Sequence, residues 1–377
     1  MRKALLAASA IEAFFLLMLW GYGPLYLHQA FHTDDVVASL ASAGPALATF
    51  LGSTLWGHWL HRLGIRRAGA MGLVAYLGTG LVAIWASSAA FYIAGATVTT
   101  FFSSALAPAT LTFLTVEGGQ MGRRLASRLQ WQSSGWMIGG VVGGYVQTMS
   151  VRAFPDLLGT LGALMLIPAA ALLRQPRTPV RVEAADRSSR IPRLGLTVVL
   201  VLPFFLAYAG NEGFFTNFGL YLHGLRVPTA WVGWSAAIST ALGWALASSI
   251  GRWTDRFGGK MVLIRVLVAY ALMYLVMSLA DSKVVVIIAF SLPLYPLLNI
   301  GIQRTVAETL PGELHGGAMG IINGATGLAT FAGSVLMGAV NNFWGPYGMP
   351  WAAVAFVSLG LLVAHFVYRG AAAIANP

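Results

Sequence analysis

Long apolar stretches alternate with short polar segments along the whole chain of 377 residues. A helix that crosses a bilayer needs about 20 predominantly apolar residues. Twelve stretches come close to that length or exceed it, and they predict helices, numbered 1 to 12 in chain order, near residues 4–28, 37–60, 68–87, 90–116, 127–149, 156–174, 194–222, 230–254, 261–280, 284–308, 317–340 and 348–369. The pattern therefore predicts an all-α membrane protein with twelve transmembrane helices.

The longest polar segment lies at the middle of the chain. Residues 175–193 contain three prolines and five arginines, and they interrupt the apolar pattern. We therefore predict an N-terminal six-helix half over 1–174, a cytoplasmic linker over 175–193 and a C-terminal six-helix half over 194–377.

Composition and charge place this pattern in a membrane. Hydrophobic residues make up 57% of the chain and charged residues 9%, whereas about a quarter of the residues in a soluble domain are charged. The net charge of +11 does not indicate a nucleic-acid partner, because most Arg and Lys residues, Arg128 among them, fall on one side of the predicted helices. By the positive-inside rule we expect a multi-pass protein of the cell inner (plasma) membrane with both termini in the cytoplasm.

Two similar polar segments between apolar runs indicate a duplicated chain. The segment Gly251–Lys260 reads GRWTDRFGGK, and the segment Gly57–Arg66 reads GHWLHRLGIR, 194 residues earlier. Leu-Tyr-Leu-His also occurs twice, ending helix 1 at His28 and helix 7 at His223. Repeats of this length, about half the chain, predict two halves built alike.

The later segment resembles the loop between the second and third helices of major facilitator superfamily transporters, which reads Gly, three residues, Asp-Arg, one residue, Gly. In the earlier copy, His61 stands where that family usually has Asp. The resemblance implies two six-helix halves in parallel repeat with a substrate site near the midplane. It also implies that the two halves rock by alternating access, and that a cytoplasmic gate is formed by Gly57, Arg62, Gly64, Gly251, Asp255, Arg256 and Gly258.

Glycines spaced along helix 5 allow two interpretations. Gly135, Gly139, Gly143 and Gly144 let helices approach closely, which predicts tight packing. Their spacing also resembles the helix-5 motif of proton-coupled multidrug exporters, although Gly140 stands where that group has Pro. Such exporters tend to carry an Arg in helix 4, and residues 91–116 contain no Arg or Lys, so a proton relay here would use other groups.

Two carboxyl groups lie well inside predicted helices, Glu12 in helix 1 and Glu212 in helix 7. Ionisable groups at such depth are costly and mark functional sites by default. Glu212 has no basic residue within a turn in sequence, and we predict that it couples transport to protons, with Glu12 in a smaller role. A satisfied hydrogen bond between helices is the structural alternative for each.

Aromatic and amide side chains near these carboxyl groups suit a lipophilic or cationic substrate, or else belong to ordinary lipid-facing surfaces. The predicted substrate-binding residues are Tyr22, Tyr26, Trp20, Tyr208, Asn211, Phe215, Asn217, Gln132, Asn299 and Asn323. Arg304 and Glu308, four residues apart on helix 10, share a helix face and predict an ion pair at the cytoplasmic gate.

These features favour a secondary active transporter, and we expect proton-coupled efflux of small amphipathic compounds by antiport. Transport of a sugar or a lipid-linked molecule is the alternative, and a non-transporting receptor is a further one. An enzyme is not expected, because the sequence has no nucleotide-binding loop, nucleophile elbow or cluster of metal ligands. We expect no cofactor and no metal, and as partners a small-molecule substrate, membrane lipid and protons around a monomer.

Overall fold

The computed structural model describes residues 2–116, 121–174, 194–309 and 315–375. Within these ranges every regular element is a helix, and the elements group into twelve membrane-length helices in two repeats, which confirms the predicted all-α fold. The predicted linker over 175–193 lies outside the described residues.

Seven of the twelve helices are continuous, and helices 1, 4, 6, 7 and 10 are interrupted. The first half contains Arg2–Leu17, Met18–Tyr22 and Gly23–Phe31 (helix 1), Asp35–Leu63 (helix 2), Ile65–Trp85 (helix 3), Ala89–Ser103 and Leu106–Val116 (helix 4), Met121–Met149 (helix 5), and Ala153–Leu164 and Leu166–Leu173 (helix 6). The second contains Leu194–Thr216 and Phe218–Gly224 (helix 7), Ala230–Phe257 (helix 8), Gly259–Leu279 (helix 9), Lys283–Phe290 and Leu294–Thr309 (helix 10), His315–Trp344 (helix 11) and Gly348–Ala375 (helix 12). Among the described residues, ten helices are long and apolar enough to cross a membrane, namely all except helices 5 and 8.

The duplication is visible in the helix boundaries. Helices 3 and 9 each have 21 residues, and Ile65 and Gly259 begin them 194 positions apart. Helices 2 and 8 end immediately before Gly64 and Gly258, whose φ angles are 77° and 76°. Only glycine adopts such positive φ angles readily, so the glycine of each copy turns the chain sharply from one helix into the next.

Breaks in helices 1 and 7 fall where the sequence is rich in Gly, Pro or Asn. Helix 1 passes through a π-helical turn, Met18–Tyr22, just before Pro24. Helix 7 is interrupted at Asn217, whose φ and ψ are −100° and 6°. π-Helical turns inside α-helices occur frequently at functional sites, and both breaks lie within two turns of predicted substrate-binding residues.

The chain forms two compact units. The first consists of Met1–Glu183 with Thr216–Ala237, and the second of Ala184–Phe215 with Ile238–Pro377. The predicted division of the chain at the linker stays a prediction.

Helix 5 packs in the first unit through the predicted glycines. A Cβ atom added at Gly135 would overlap the carbonyl oxygen of Ala10, and one added at Gly139 would meet Phe14 at 2.8 Å. Gly143 lies against Met18 and Tyr22, and Gly144 lies against Ala230 of helix 8. The glycines thus bring the backbones of helices 1 and 5 into direct contact, which fixes the position of Glu12 relative to helix 5.

In the second unit, helix 7 packs against helices 11 and 12 in the same manner. Gly213 lies against the backbone of Gly333, Gly333 lies against the backbone of Ala209, and Gly210 lies against Phe356. The hydroxyl of Tyr368 on helix 12 donates to the carbonyl oxygen of Leu200 at 3.1 Å. These contacts hold the stretch of helix 7 that carries Glu212.

Candidate functional site

Glu212 lies on helix 7 inside the second unit and is 6% exposed. Tyr208, one turn earlier, hydrogen-bonds its carboxyl group. Tyr270 and Tyr274 of helix 9 and Tyr295 of helix 10 lie within electrostatic range of the same carboxyl group. We call Tyr208, Tyr270, Tyr274 and Tyr295 the tyrosine cluster; it surrounds Glu212 with hydroxyl groups from three helices.

One line of hydrogen bonds leads away from Glu212. The hydroxyl groups of Tyr208 and Tyr295 are 3.1 Å apart, and either can donate. Tyr208 is 5% exposed, whereas Tyr295 is 45% exposed. A continuous hydrogen-bonded path therefore joins the buried carboxyl group to Tyr295, a residue that is partly exposed.

Two predicted amides lie beside this path. Asn211 is buried, and its Oδ1 accepts a hydrogen bond from the Tyr274 hydroxyl at 2.9 Å. Asn299, one turn after Tyr295, donates from Nδ2 to the Tyr295 carbonyl oxygen at 3.2 Å. The cluster thus offers both hydroxyl and amide groups within one unit.

Glu12 has different surroundings inside the first unit. The Tyr76 hydroxyl donates to its Oε1 at 3.1 Å, and Nη2 of Arg128 lies 4.0 Å from its Oε2. The Arg128 side chain is only 13% exposed, and its Nε has no hydrogen-bond partner among the described residues. The distribution of charge along the sequence assigns Arg128 to the cytoplasmic side of the membrane. In the structure its side chain is a buried cation on helix 5, whereas helix 4 contains no Arg or Lys.

The two carboxyl groups therefore differ in what stabilises them. A cation beside a carboxyl group favours its charged form, and burial without a cation favours its neutral form. Glu12 has Arg128, whereas in the described part of the chain no Arg or Lys makes an ion pair with Glu212. The larger role of Glu212 in proton coupling stays a prediction.

The predicted aromatic substrate ligands of helix 1 are engaged in packing. Tyr22 is fully buried and donates to the Gly140 carbonyl oxygen at 3.2 Å, and Tyr26 stacks on Phe154 at 4.6 Å. Nε1 of Trp20 is buried and has no hydrogen-bond partner among the described residues. Substrate contact at these three residues stays a prediction.

The remaining predicted ligands are spread over several helices. Phe215 stacks against Phe290 at 6.4 Å, and Asn217 is buried at the break in helix 7. Gln132 is half-buried on helix 5, and Asn323 is exposed on helix 11. Of the predicted set, Tyr208 belongs to the tyrosine cluster, and Asn211 and Asn299 hydrogen-bond to members of it.

The predicted gate residues of the second unit form a charged network. Nε of Arg304 donates to Oε1 of Glu308 at 2.7 Å, and Nη1 of Arg304 lies 3.9 Å from Oδ1 of Asp255. Oε2 of Glu308 accepts from the backbone N–H of Gly259 at 2.9 Å. A carboxylate at the start of helix 9 is favoured by the helix dipole, so Glu308 connects helix 10 to the turn at Gly258.

Fewer contacts are described for the other predicted gate residues. Arg256 lies over the ring of Phe257, with 5.5 Å from Cζ to the ring centroid, and Arg62 is exposed. The surroundings of Gly57 and Gly251 lie outside what the structure describes. At the positions of the first half equivalent to Arg304 and Glu308, the sequence has Thr110 and Leu114, so the charged network has no copy there.

Sequence reasoning missed Arg128, Tyr76 and three members of the tyrosine cluster. Tyr270 and Tyr274 are four residues apart and therefore share a face of helix 9, a spacing that could have identified them. Arg128 follows Arg123 and Arg124 closely in the sequence, so the sequence pattern suggests that it is another surface cation. In the described residues, no three His, Asp or Glu side chains are grouped so as to hold a metal ion.

A duplicated set of membrane-length helices defines a multi-pass membrane protein. The family model of the Major Facilitator Superfamily matches residues 5–301 and 204–376. The chain therefore belongs to the Major Facilitator Superfamily, whose members transport small molecules.

Solved structures of transporters share the fold. The nucleoside transporter NupG is 15% identical, with 98% of each chain covered and a TM-score of 0.78. The xylose transporter XylE from E. coli is 12% identical over 98% of this chain and 95% of that one, with a TM-score of 0.78. A bacterial homolog of the human lysosomal transporter Spinster is 13% identical over 98% and 95% of the two chains, with a TM-score of 0.77. Compared by sequence with curated proteins, the chain matches none.

Proposed function

We propose that this protein is a proton-coupled secondary active transporter and that Glu212 carries the proton. The observation that carries the proposal is a buried carboxyl group that hydrogen-bonds Tyr208 and, among the described residues, makes no ion pair with Arg or Lys. Without a cation, a buried carboxyl group is stable when neutral and becomes costly when charged. Loss of the proton then has to be accompanied by another favourable change, such as substrate binding or a change of conformation.

The tyrosine cluster supplies a route for that proton. Tyr208 hydrogen-bonds Glu212, and its hydroxyl lies 3.1 Å from that of the exposed Tyr295. A hydroxyl group can accept one proton and donate another, so a proton can pass between Glu212 and the exposed end without moving a charged side chain through the interior.

The gate network supports alternating access. Asp255, Arg304, Glu308 and the N–H of Gly259 join helices 8, 9 and 10 at one end of the second unit. In this proposal the two six-helix halves, 1–174 and 194–377, rock about a central site, and the network stabilises one state of the cytoplasmic side. Cytoplasmic termini and a monomeric state belong to the same proposal.

For the substrate we propose efflux of small amphipathic compounds, exchanged for protons in the manner of a multidrug exporter. The glycine motif of helix 5 and the abundance of buried aromatic side chains support this class. A sugar or nucleoside is the second candidate, because Asn211 and Asn299 place hydrogen-bonding amides next to the tyrosine cluster, and solved relatives in fold include nucleoside and xylose transporters.

Proteoliposomes with an imposed pH gradient test the proposal. We expect the gradient to drive accumulation of ethidium, an amphipathic cation, and we expect a protonophore to abolish it. Accumulation of D-xylose or uridine instead of ethidium would favour the second candidate. Transport that is identical with and without the gradient would contradict proton coupling for either substrate.

A further inference from the structure

A charged residue lies on the apolar outer face of helix 9. Every exposed residue of this membrane-length helix falls on one face, and all but one are apolar: Met261, Arg265, Val268, Leu272, Val276 and Leu279. We call this set the exposed stripe of helix 9. Charged side chains seldom face the apolar layer of a membrane, so Arg265 calls for a specific explanation.

The Arg265 side chain extends back toward the start of helix 9. Arg265 lies six residues after Gly259, about 9 Å along the helix. Its Cζ nevertheless lies 4.3 Å from the ring centroid of Phe257, the last residue of helix 8. Arginines near the end of a membrane helix extend in this way, with the alkyl part in the apolar layer and the charge among the headgroups.

A second arginine lies at the same ring. Cζ of Arg256 is 5.5 Å from the ring centroid of Phe257, so one aromatic side chain holds two guanidinium groups by cation–π attraction. All three side chains are exposed. Two positive charges held this close repel each other, and an anion beside them would remove that repulsion.

The carboxylates described around the turn at Gly258 are engaged with another cation. Asp255 and Glu308 both form ion pairs with Arg304, at 3.9 and 2.7 Å. Within the described part of the chain, neither of the two arginines at Phe257 makes an ion pair. The arginine pair is therefore available to an anion from outside the protein.

The first half of the chain has only one part of this arrangement. Arg62 stands 194 residues before Arg256, so that arginine is duplicated. The counterparts of the ring and of the second arginine are Leu63 and Met71. The first half therefore offers the same charge without the pair, which makes it a control within the same molecule.

We propose that Arg256 and Arg265 bind the phosphate of an anionic phospholipid, such as phosphatidylglycerol. The acyl chains of the lipid lie along the exposed stripe of helix 9, and the two guanidinium groups donate hydrogen bonds to the phosphate oxygens. The apolar stripe favours a membrane lipid over a soluble phosphate, and the paired charges favour an anionic headgroup over a zwitterionic one. The proposal depends neither on the transported substrate nor on Glu212.

Native mass spectrometry of the purified full-length protein in detergent tests the site. The probes are dioleoyl phosphatidylglycerol and dioleoyl phosphatidylcholine, which share their acyl chains and a phosphate and differ in net charge. One arginine near a membrane surface strengthens the attraction to anionic lipid about fivefold. We therefore expect two of them to make phosphatidylglycerol bind about 25-fold more tightly, and equal binding of the two lipids would overturn the proposal.

Single variants assign the preference to the arginine pair. Arg256→Gln and Arg265→Gln should each lower the preference for phosphatidylglycerol about fivefold, and the double variant should remove most of it. Binding of phosphatidylcholine should stay unchanged in all of them. Arg62→Gln, the same loss of charge at the equivalent position of the first half, should keep the full preference. An equal loss in Arg62→Gln and Arg256→Gln would show general charge attraction and overturn the site.

Two further outcomes would assign the surface to another occupant and so contradict the proposal. Displacement of bound phosphatidylglycerol by excess glycerol phosphate, which has no acyl chains, would indicate a site for a soluble anion; we expect no displacement. The same spectra report the oligomeric state. A dimer that the double variant converts to a monomer, with lipid preference unchanged, would indicate a contact between two copies of the chain.

Discussion

At the scale of single residues, the two buried carboxyl groups have opposite surroundings. Glu12 has Arg128 at 4.0 Å and a Tyr76 hydrogen bond, whereas Glu212 has hydroxyl groups on several sides. The cation beside Glu12 favours its charged form, whereas Glu212 makes no ion pair with Arg or Lys among the described residues. In our proposal Glu212 therefore carries the proton and Glu12 has the smaller role.

The proton path through Tyr208 gives a first prediction. Tyr208→Phe removes the hydroxyl that joins Glu212 to Tyr295 and keeps the ring. We expect gradient-driven flux to fall about tenfold, the effect of losing about 1.4 kcal/mol of hydrogen bonding in the rate-limiting step. Initial-rate flux in proteoliposomes measures the change, with Tyr145→Phe at an exposed site as the control. Wild-type flux in Tyr208→Phe would show that protons do not use this hydroxyl.

The pair of Glu12 and Arg128 gives a second prediction, for stability. Arg128→Gln leaves the buried carboxyl group without its cation, and breaking one side of a buried pair costs about 3 kcal/mol. We expect a clearly lower midpoint of thermal unfolding in detergent. The double variant Glu12→Gln with Arg128→Gln, which removes both charges, should recover most of the loss. If the double variant is less stable than Arg128→Gln alone, the two groups are not electrostatic partners.

At the scale of helices, the two copies of the repeat have equivalent helix ends, and glycines allow close contacts between helices in each half. Gly64 and Gly258 end equivalent helices with nearly the same positive φ. Glycines on helices 5, 7 and 11 set backbone contacts that larger residues would prevent. The positions equivalent to Arg304 and Glu308 in the first half are Thr110 and Leu114, so the two halves share helix boundaries and differ in these charged residues.

Replacing the turn glycines gives a third prediction. Gly64→Ala and Gly258→Ala each place a Cβ atom on a residue with positive φ and extended ψ, a conformation nearly restricted to glycine, at a cost of about 1 to 3 kcal/mol. At Gly64 the added atom has no neighbour within 4 Å, and at Gly258 its nearest neighbour is Glu308 at 3.5 Å, so the cost is conformational in both. Unfolding midpoints should fall by similar amounts, while Gly69→Ala, with ordinary contacts at 3.5 Å, should change little. Strongly unequal losses at the two turns would contradict their equivalence.

The sequence predicted the helices and their repeat well, because apolar length and glycine spacing are local properties. It also predicted the burial of Glu212 and the ion pair of Arg304 and Glu308, because depth along a helix and four-residue spacing can be read from the sequence. It did not identify Arg128 or Tyr295, because their roles depend on which helices become neighbours. The π-helical turn at Met18–Tyr22 was likewise not predicted, since the pattern marks a break near Pro24 and not the helical form it takes.

At the scale of the whole molecule, a transporter of this superfamily has to couple a site inside the membrane to a gate at one end. Glu212 and the tyrosine cluster are our candidates for the site, and the network of Asp255, Arg304 and Glu308 is our candidate for the gate. Both lie in the second unit and share helices 9 and 10. A change of charge at Glu212 can therefore reach the gate through helices that both features contact.

The gate gives a fourth prediction. Glu308→Gln keeps the size of the side chain but removes the charge that holds Arg304 and stabilises the start of helix 9. We expect slower transport with equilibrium substrate binding in detergent unchanged, and Asp255→Asn should have the same effect. Flux and binding measured on the same preparations distinguish the two properties. A loss of binding in a folded Glu308→Gln variant would assign this residue to the substrate site instead of the gate.

The most direct test of the account compares two modes of transport in Glu212→Gln, which keeps the shape of the side chain and cannot titrate. One mode is accumulation driven by a pH gradient, and the other is exchange of labelled for unlabelled substrate, which needs no net proton movement. We expect the variant to retain exchange and to lose gradient-driven accumulation, while Asp156→Asn, an exposed acid on helix 6, retains both. Accumulation by Glu212→Gln at the wild-type level would contradict the role of Glu212 as the proton carrier.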